Sequence, residues 1–394
     1  MWTKIVIGFS QAADPQEAAY QAAISVQSQL NAPSTNMVLV FACTSYAGPE
    51  ILEVIHAILH PQRLVGSSTP GIILSEGIFT RGIAILAINS DDITFGAAAS
   101  RPGTDGDLRA IGFEWARKLN ADCKMQKHQA CLMFTDASLH HNAQFIHGMQ
   151  EILGLGLPIV GAVNSGNPKL QRNSQFYEKQ ALPQSAAGLL IGGVNIAVGN
   201  KHGFKPLGKP RIITRCSNNI ITAIDDQPAS HIYQEFLGPE AYALNKTSLS
   251  SHAVLYPLGI YMEDWGQYLL KNAVDILPDG SIVCQGEVPQ GAEVHLMIGN
   301  RDSLKHSATD AAMQVKEGLK GRQARLIIII ESVVRHKILK KNAFVEIQAI
   351  KEVLGYTTPI IGMYTSGEII QNAPKPNVND THIQNESISI LAID

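Results

Sequence analysis

The chain reads Val65-Gly66-Ser67-Ser68-Thr69-Pro70-Gly71 after an apolar run, and it repeats the pattern at Val160-Gly161-Ala162-Val163-Asn164-Ser165-Gly166 and Ile361-Gly362-Met363-Tyr364-Thr365-Ser366-Gly367. Each copy is an apolar run, a glycine, four residues and a second glycine. Repetition at this spacing indicates an architecture of internal repeats. The glycines predict three sharp turns at strand ends, where the backbone could closely approach a ligand.

Working outward from the turns, each repeat has the same predicted order of strand, helix, strand, helix, strand, turn and strand. Besides the strand that enters each turn, the first repeat has predicted strands at Lys4–Phe9, Met37–Phe41 and Gly82–Ile88. Those of the second repeat are at Ile93–Ala98, Ala130–Phe134 and Ala187–Ala197, and those of the third are at Glu293–Ile298, Leu326–Ile330 and Ser387–Leu391. The helices are predicted at Pro15–Leu30, Pro49–Leu59, Asp107–Leu119, Asn142–Leu153, Ser303–Leu319 and Asn342–Leu354. Continuous Ile, Val and Leu runs are typical of strands covered on both faces.

The segment from about Lys201 to Gly291 does not follow this order. It opens with a Gly- and Pro-rich linker, and two short strands, a helix near Pro228 and a hairpin around Asp279 follow. We expect a domain boundary near residue 205, with two repeats in residues 1–205 and the odd segment plus the third repeat in residues 206–394. The predicted fold class is α/β, with repeated strand–helix units forming mixed sheets flanked by helices in two domains.

The composition predicts a soluble protein with large cores. The chain has 394 residues, of which 45% are hydrophobic and 16% charged, and its net charge is −3. This charge gives no electrostatic footprint for nucleic acid. The apolar runs are too short to cross a bilayer, and the amino terminus lacks a signal-peptide profile. The five cysteines form no Cys-x-x-Cys pair, so a reducing cytoplasm is expected.

Several strings in the chain, most of them in its second half, carry a family resemblance. They are Pro206-Leu207-Gly208, Asp225-Asp226-Gln227-Pro228-Ala229, Tyr256-Pro257-Leu258-Gly259, Gly286-Glu287-Val288-Pro289 and Gly362-Met363-Tyr364-Thr365-Ser366-Gly367-Glu368. With them the chain resembles the FIST proteins, which combine an N-terminal and a C-terminal FIST domain and are proposed to sense small ligands in signal transduction. The chain departs from the family pattern at Ile72, at Ser332 and at Gln384-Asn385-Glu386-Ser387. If those positions touch the ligand, its identity differs from that of the commonest family ligand.

Motifs that would indicate an enzyme are missing from the sequence. It contains no Walker-type phosphate loop, no Gly-x-Gly-x-x-Gly and no Gly-x-Ser-x-Gly nucleophile elbow. We therefore expect a protein that is not an enzyme. His56 and His60, and likewise His140, His141 and His147, are interpreted as ordinary solvated or capping histidines rather than metal ligands.

Some stand-alone FIST proteins resemble haem proteins that sense nitric oxide and control a partner histidine kinase. The resemblance implies haem b here, because no kinase or receptor segment is seen before Asp394. Haem needs an axial ligand, most often His. The candidates are His336, in the string that follows a buried strand, His382 near the last strand, and the hydroxyl of Tyr256. Arg335 would clamp a carboxylate, and relatives often carry Arg at that place.

The third turn has the most chemically capable side chains. Tyr364, Ser366 and Glu368 surround Gly367 there, and a ligand amine or hydroxyl could pair with Glu368 while its other end meets Arg335. Such two-ended recognition suits a small zwitterion. The competing interpretation is that Tyr364 packs in the core and Glu368 caps the next segment.

The sequence therefore predicts a cytoplasmic sensor that binds a small molecule or gas and signals to a separate protein such as a histidine kinase. Haem b with nitric oxide is the leading version, and an amino-acid or metabolite sensor without haem is the alternative. An enzyme that uses Arg335 and Glu368, or a scaffold without ligand, also stays open. No nucleic-acid or membrane partner is expected, and the sequence leaves a homodimer open.

Overall fold

The computed structural model describes residues 2–101, 106–123, 128–137, 142–164, 173–243, 255–263, 266–371 and 381–394. Over these ranges the chain forms three six-stranded sheets and one eight-stranded sheet, with helices packed against them. The predicted fold class, a two-domain α/β protein with mixed sheets flanked by helices, is confirmed. Within the same ranges no helix is long and apolar enough to cross a lipid bilayer.

Each six-stranded sheet is built on one repeat, and its two middle strands are parallel. The first repeat has strands Thr3–Ser10, Met37–Cys43, Leu64–Thr69 and Ile83–Ser90 and helices Pro15–Leu30 and Pro49–Leu59. The second has strands Thr94–Ser100, His128–Asp136, Ile159–Asn164 and Ala186–Gly192 and helices Leu108–Asp122 and Asn142–Leu153. The third has strands Ile196–Lys201, Leu326–Ser332, Ile360–Thr365 and Ile388–Ile393 and helices Arg301–Gly318, Val333–Leu339 and Phe344–Leu354.

A short hairpin follows each repeated turn, and it completes the sheet of a different repeat. The hairpins are Ile72–Leu74 with Gly77–Phe79, Gln175–Tyr177 with Gln180–Leu182, and Gly367–Gln371 with Thr381–Gln384. The hairpin after the first turn pairs with the third repeat, that after the second with the first repeat, and that after the third with the second repeat. The three repeats are therefore linked in a closed ring by exchanged strands.

The first glycine of each repeated stretch lies inside a strand rather than in a turn. A Cβ at Gly66 or Gly161 would lie 2.0 Å from the carbonyl oxygen of the neighbouring parallel strand, and one at Gly362 would lie 2.5 Å from it. Contacts this short are not tolerated, so glycine is required for close strand packing. The expectation that all the repeated glycines mark ligand-approaching turns is wrong for these three.

The irregular segment forms the eight-stranded inserted sheet, defined by strands Lys205–Ser217, Ile220–Ile224, Gln227–Pro228, Leu258–Met262, Gln267–Lys271, Ala273–Ile276, Ile282–Cys284 and Glu293–Ile298, with helix His231–Ala243 beside it. Its described pairings are antiparallel, so it lacks the parallel strand pair that marks each repeat. The prediction of Glu293–Ile298 as the first strand of the third repeat is wrong, because this strand belongs to the inserted sheet. That place is taken by Ile196–Lys201, which splits the predicted strand Ala187–Ala197 in two.

The inserted sheet thus lies in the chain between the first strand and the first helix of the third repeat. Local hydrophobic patterns do not reveal this, because an apolar strand of the right length precedes helix Arg301–Gly318 in either arrangement. The boundary near residue 205 stays a prediction.

Candidate functional site

The three repeated stretches meet in a polar hub formed by Thr69, Asn164 and Thr365, which occupy the same position in each copy. The Thr69 hydroxyl donates to the carbonyl of Tyr364 at 2.8 Å, and the Thr365 hydroxyl donates to the carbonyl of Val163 at 3.0 Å. The Asn164 amide closes the ring by donating to Ser67 Oγ at 2.8 Å. These groups are buried and bonded to one another, so the hub holds the repeats together.

Arg335 lies in the third repeat, in a helix that starts at the end of a buried strand. The Ser332 hydroxyl accepts a hydrogen bond from the Val334 N–H at 3.3 Å, and this cap begins helix Val333–Leu339 and directs Arg335 inward. Its side chain is fully buried. Its guanidinium donates to the carbonyls of His202 (2.6 Å), Glu386 (3.1 Å) and Leu304 (3.1 Å), to the Ser307 hydroxyl (2.9 Å) and to the Glu346 carboxylate.

Glu331, Glu346, Glu368 and Glu386 form a buried acidic cluster around Arg335, and each is at most 1% exposed. Burial raises the pKa of Glu331 well above its ordinary value, and the nearby Glu346 charge raises it further. Burial likewise raises the pKa of Glu368 well above its ordinary value. Several carboxylates around one guanidinium cannot all be ionised cheaply in a dry interior, so burial favours the protonated form of Glu331 and Glu368.

The residues predicted at the third turn lie next to this buried cluster. Glu368 Oε2 accepts hydrogen bonds from the Ser387 N–H at 2.9 Å and from its hydroxyl at 2.8 Å, whereas Oε1 has no partner among the described residues. The Tyr364 ring is buried, and its hydroxyl also lacks a hydrogen-bond partner in the described part of the chain. The carbonyl of Ser366 accepts from the Asn385 amide at 3.2 Å. The structure therefore brings Arg335, Tyr364 and Glu368 together, but inside the protein.

The three candidate iron ligands, His336, His382 and Tyr256, lie in different parts of the structure. His336 is half-buried, and its ring centroid lies 5.1 Å from that of Tyr364. Tyr256 packs against the core of the inserted sheet, and its carbonyl accepts a hydrogen bond from the Tyr233 hydroxyl at 3.1 Å. His382 lies in strand Thr381–Gln384 on the wall of a cavity. His140 and His141 fall outside the described residues.

That cavity, of about 490 Å³, lies between the second repeat, the inserted sheet and the hairpin Gly367–Gln371 with Thr381–Gln384. Its volume falls in the range of pockets that hold small molecules. Its polar wall includes His147, Lys271, Cys284, Gln285, Glu287 and His382, and its apolar wall includes Ile146, Val163, Val274, Val283 and Ile383. Gly286 and Glu287 come from one of the family strings quoted above.

Lys271 is the most unusual group on this wall. It is 3% exposed, and its Nζ donates to the carbonyl of Ile383 at 2.8 Å. No ion pair of Lys271 occurs within the described ranges, and the charge of the exposed Glu287 acts on it only from a distance. Burial lowers the pKa of Lys271 to about 8. A lysine in this state is a cation that lacks a counterion.

Gln285 connects the cavity to the third turn. Its Nε2 is buried and has no hydrogen-bond partner among the described residues. It lies 2.7 Å from the position that a Cβ on Gly367 would take, so glycine at 367 leaves room for this amide. The predicted ligand residue Gly367 therefore adjoins a residue of the cavity wall, although neither Gly367 nor Arg335 lines the cavity itself.

Sequence reasoning missed Lys271 and Gln285. Lys271 ends an apolar strand, Tyr268-Leu269-Leu270, and a lysine at a strand end is ordinarily solvated. The available signal was the family string Gly286-Glu287-Val288-Pro289, which directly follows Gln285. In the described part of the chain no group of three or more His, Cys, Asp or Glu side chains is arranged to hold a metal ion.

Comparison with known proteins gives two sequence-family matches. The sequence model of the FIST N domain matches residues 36–227, and that of the FIST C domain matches residues 229–371. An uncharacterized protein of Mycobacterium tuberculosis (strain CDC 1551 / Oshkosh) is 21% identical over 304 residues, which are 75% of this chain and 76% of the relative. One of Mycobacterium bovis is 21% identical over 380 residues, 93% of this chain and 94% of the relative.

Two solved structures are distantly similar to this chain. A cyanuric acid hydrolase from A. caulinodans matches with a TM-score of 0.41 at 8% identity, covering 100% of this chain and 99% of the hydrolase. A second cyanuric acid hydrolase structure matches with a TM-score of 0.36 at 9% identity, covering 100% of both chains. Similarity at this level carries no information about activity.

Proposed function

Because the chain belongs to the FIST family, whose domains are small-ligand sensory domains of signal transduction, we propose that it binds a small ligand in the cavity beside Lys271. It would pass the signal to a separate protein in the cytoplasm. The observation that carries this proposal is a cavity of small-molecule size with an uncompensated buried ammonium group on its wall. The described residues supply no counterion for this group.

The position of the cavity suits a sensor. Its walls come from helix Asn142–Leu153, from strands Gln267–Lys271 and Ile282–Cys284 of the inserted sheet, and from strand Thr381–Gln384. A ligand that contacts all these elements stabilises the arrangement of the elements that fits the ligand best. Signalling then follows as a shift of population toward that arrangement, which a partner recognises.

The ligand would be an amino acid or another small metabolite bound without haem. This version is favoured because two of the lining residues, Lys271 and Gln285, carry hydrogen-bond donors and lie next to apolar surface. Thermal-shift screening against metabolites tests it, with Val283→Phe as the variant that fills the cavity. Ligands that stabilise the protein but not this variant support the proposal, and equal stabilisation of both would place the ligand elsewhere.

A haem-b sensor of nitric oxide that regulates a histidine kinase is the second candidate, and one observation favours it. His382 and His147 lie on the wall of the same cavity, and Lys271 could meet a propionate there. Iron in haem would supply the nitric oxide binding. His382 would hold the haem iron there, whereas His336 lies against Tyr364 and is not among the residues that line this cavity.

The absorbance spectrum of protein purified from haem-supplied cells tests this version. A Soret band that shifts with nitric oxide, disappears in His382→Ala and persists in His336→Ala is the expected result for a haem sensor. A colourless protein that cannot be reconstituted with haem rules this version out and leaves the metabolite version standing.

We propose binding rather than catalysis. The enzyme alternative rests on Arg335 and Glu368, and both side chains are fully buried among protein partners. Turnover of a bound compound that is lost in Glu368→Gln would contradict this part of the proposal. Pull-down of a histidine kinase by the ligand-bound protein, and not by the Val283→Phe variant, tests the partner.

A further inference from the structure

The cavity wall also restricts the chemical class of the ligand. Lys271 and Gln285 both line this wall, and each side chain carries hydrogen-bond donors. The ammonium group has one protein acceptor, at 2.8 Å, and the amide nitrogen has none among the described residues. An ammonium group can donate three hydrogen bonds. The ligand must therefore bring acceptors, and preferably a negative charge.

The apolar part of the wall determines which body the ligand can have. Ile146, Val163, Val274, Val283 and Ile383 give one side of the cavity an apolar surface. A ligand that buries this surface gains roughly 25 cal/mol per Å² of apolar area removed from water. The matching molecule thus has an anionic head and an apolar body.

A single negative charge fits better than two. Lys271 is the only cationic lysine or arginine side chain among the described lining residues, and Glu287 at the rim opposes further negative charge. Burial raises the pKa of the neighbouring Cys284 thiol to about 12, so this thiol stays neutral near pH 7. A carboxylate has two acceptor oxygens, one for the ammonium group and one for the amide, whereas a phosphate dianion would carry charge that nothing on the described wall balances.

We propose that the cavity takes a small organic carboxylate with an apolar body, held by Lys271 Nζ and Gln285 Nε2. This inference rests on the proposed function, because it places the sensed ligand in the same cavity. Lys271 would supply the charge pairing and Gln285 the second hydrogen bond, and the wall around Val283 and Ile383 would select the body.

The test is binding of paired compounds, measured by calorimetry on the full chain. Short- and medium-chain fatty acids and arylacetates are each compared with the primary amide of the same skeleton. We expect the acids to bind at least tenfold more tightly than the amides, since a charge-assisted hydrogen bond is worth more than a neutral one. Lys271→Met should remove this preference, and Gln285→Leu should weaken acid binding several-fold. Lys305→Met, an exposed lysine outside the cavity, should change nothing.

A second measurement keeps the test valid if Lys271→Met fails to fold. Reductive methylation of the native protein, read by mass spectrometry, should modify Lys271, and bound acid should protect it while Lys305 stays reactive. Acids and amides that bind equally, with both blocked by Val283→Phe, would overturn the carboxylate inference and leave the proposed function intact. If neither series binds and haem does not bind either, the proposed function fails as well.

Discussion

The side-chain amide of Asn164 donates a hydrogen bond of 2.8 Å to the hydroxyl of Ser67, and so joins the second repeat to the first. The same amide group donates to the Ser68 carbonyl at 3.0 Å, and its oxygen lies 3.0 Å from the Thr365 hydroxyl of the third repeat. One side chain therefore contacts both other repeats at the hub.

Asn164→Ala should destabilise the protein by about 2–4 kcal/mol, because it removes three buried hydrogen bonds, to Ser67, Ser68 and Thr365. Urea denaturation followed by circular dichroism measures this. Asn195→Ala is the matched control, since it removes an amide that bonds to Asp394 at the exposed surface and should cost less than about 1 kcal/mol. Equal losses in the two variants would show that the hub contributes no special stability.

Gly161→Ala should be more damaging than an ordinary glycine substitution. The new Cβ would lie 2.0 Å from the carbonyl oxygen of Met133, so adjacent strands must separate. We expect a loss of about 3 kcal/mol or failure to fold, in line with severe overpacking. Gly156→Ala, in the same repeat but with no atom within 4 Å of the added group, should be nearly neutral by thermal melting. A stable Gly161→Ala protein would disprove the packing explanation of the repeated glycine.

Glu386 should make stability depend on pH. Burial raises its pKa from an ordinary 4.5 to about 8, while the Asn272 amide and the Arg335 and Lys337 charges lower it. The folded state therefore keeps a proton that the unfolded chain has released. The contribution of this proton to the free energy of unfolding is complete below pH 4.5. It is lost as the pH rises to 8, at about 1.4 kcal/mol per pH unit.

Glu386→Gln should flatten the curve of unfolding free energy against pH over that window. The slope that remains comes from Glu331 and Glu368, whose pKa values burial also raises. Glu352→Gln, at an exposed position of helix Phe344–Leu354, should leave the curve unchanged. A wild-type protein whose stability rises steadily across the same window would be inconsistent with protonated buried carboxyl groups.

Substitutions of Arg335 should lower the free energy of unfolding rather than affect ligand binding directly. Arg335→Lys keeps the charge but loses the planar fork that reaches several acceptors, so we expect a destabilisation of about 3 kcal/mol, measured by urea denaturation. Combining Arg335→Met with Glu346→Gln should recover part of the loss of Arg335→Met alone, because the orphaned carboxylate is removed. A stable Arg335→Lys protein that has lost ligand binding would instead support the predicted carboxylate clamp.

Much of the repeat architecture could be predicted from the sequence. Helices Pro15–Leu30, Pro49–Leu59 and Asn142–Leu153 have their predicted bounds, because apolar periodicity and N-terminal Pro or Asn signals are local. The exchange of hairpins could not be predicted. Residues Ile72–Leu74 are apolar whichever repeat they join, and the partner at Ile361–Met363 is distant in sequence.

The site shows the same limit. The sequence indicated that the third turn is chemically different, and in the structure Glu368 and Tyr364 lie near Arg335. Burial of this group depends on segments far apart in the chain, including the carbonyl of His202 and the loop at Glu386. Residue types alone predicted a binding site there, whereas the cavity is lined by Gln285, whose amide lies beside Gly367.

The exchanged hairpins bear on how the molecule can be assembled or divided. Each repeat ends its own sheet with an edge that only a hairpin from another repeat covers, and an uncovered edge invites pairing with other chains. A fragment that lacks any one repeat would therefore expose an unpaired strand edge on a second repeat. It would also leave the hairpin of the third repeat without the sheet that it completes. Because residues near 73 and 362 must meet before the ring closes, folding is expected to be slow and to involve the whole chain at once.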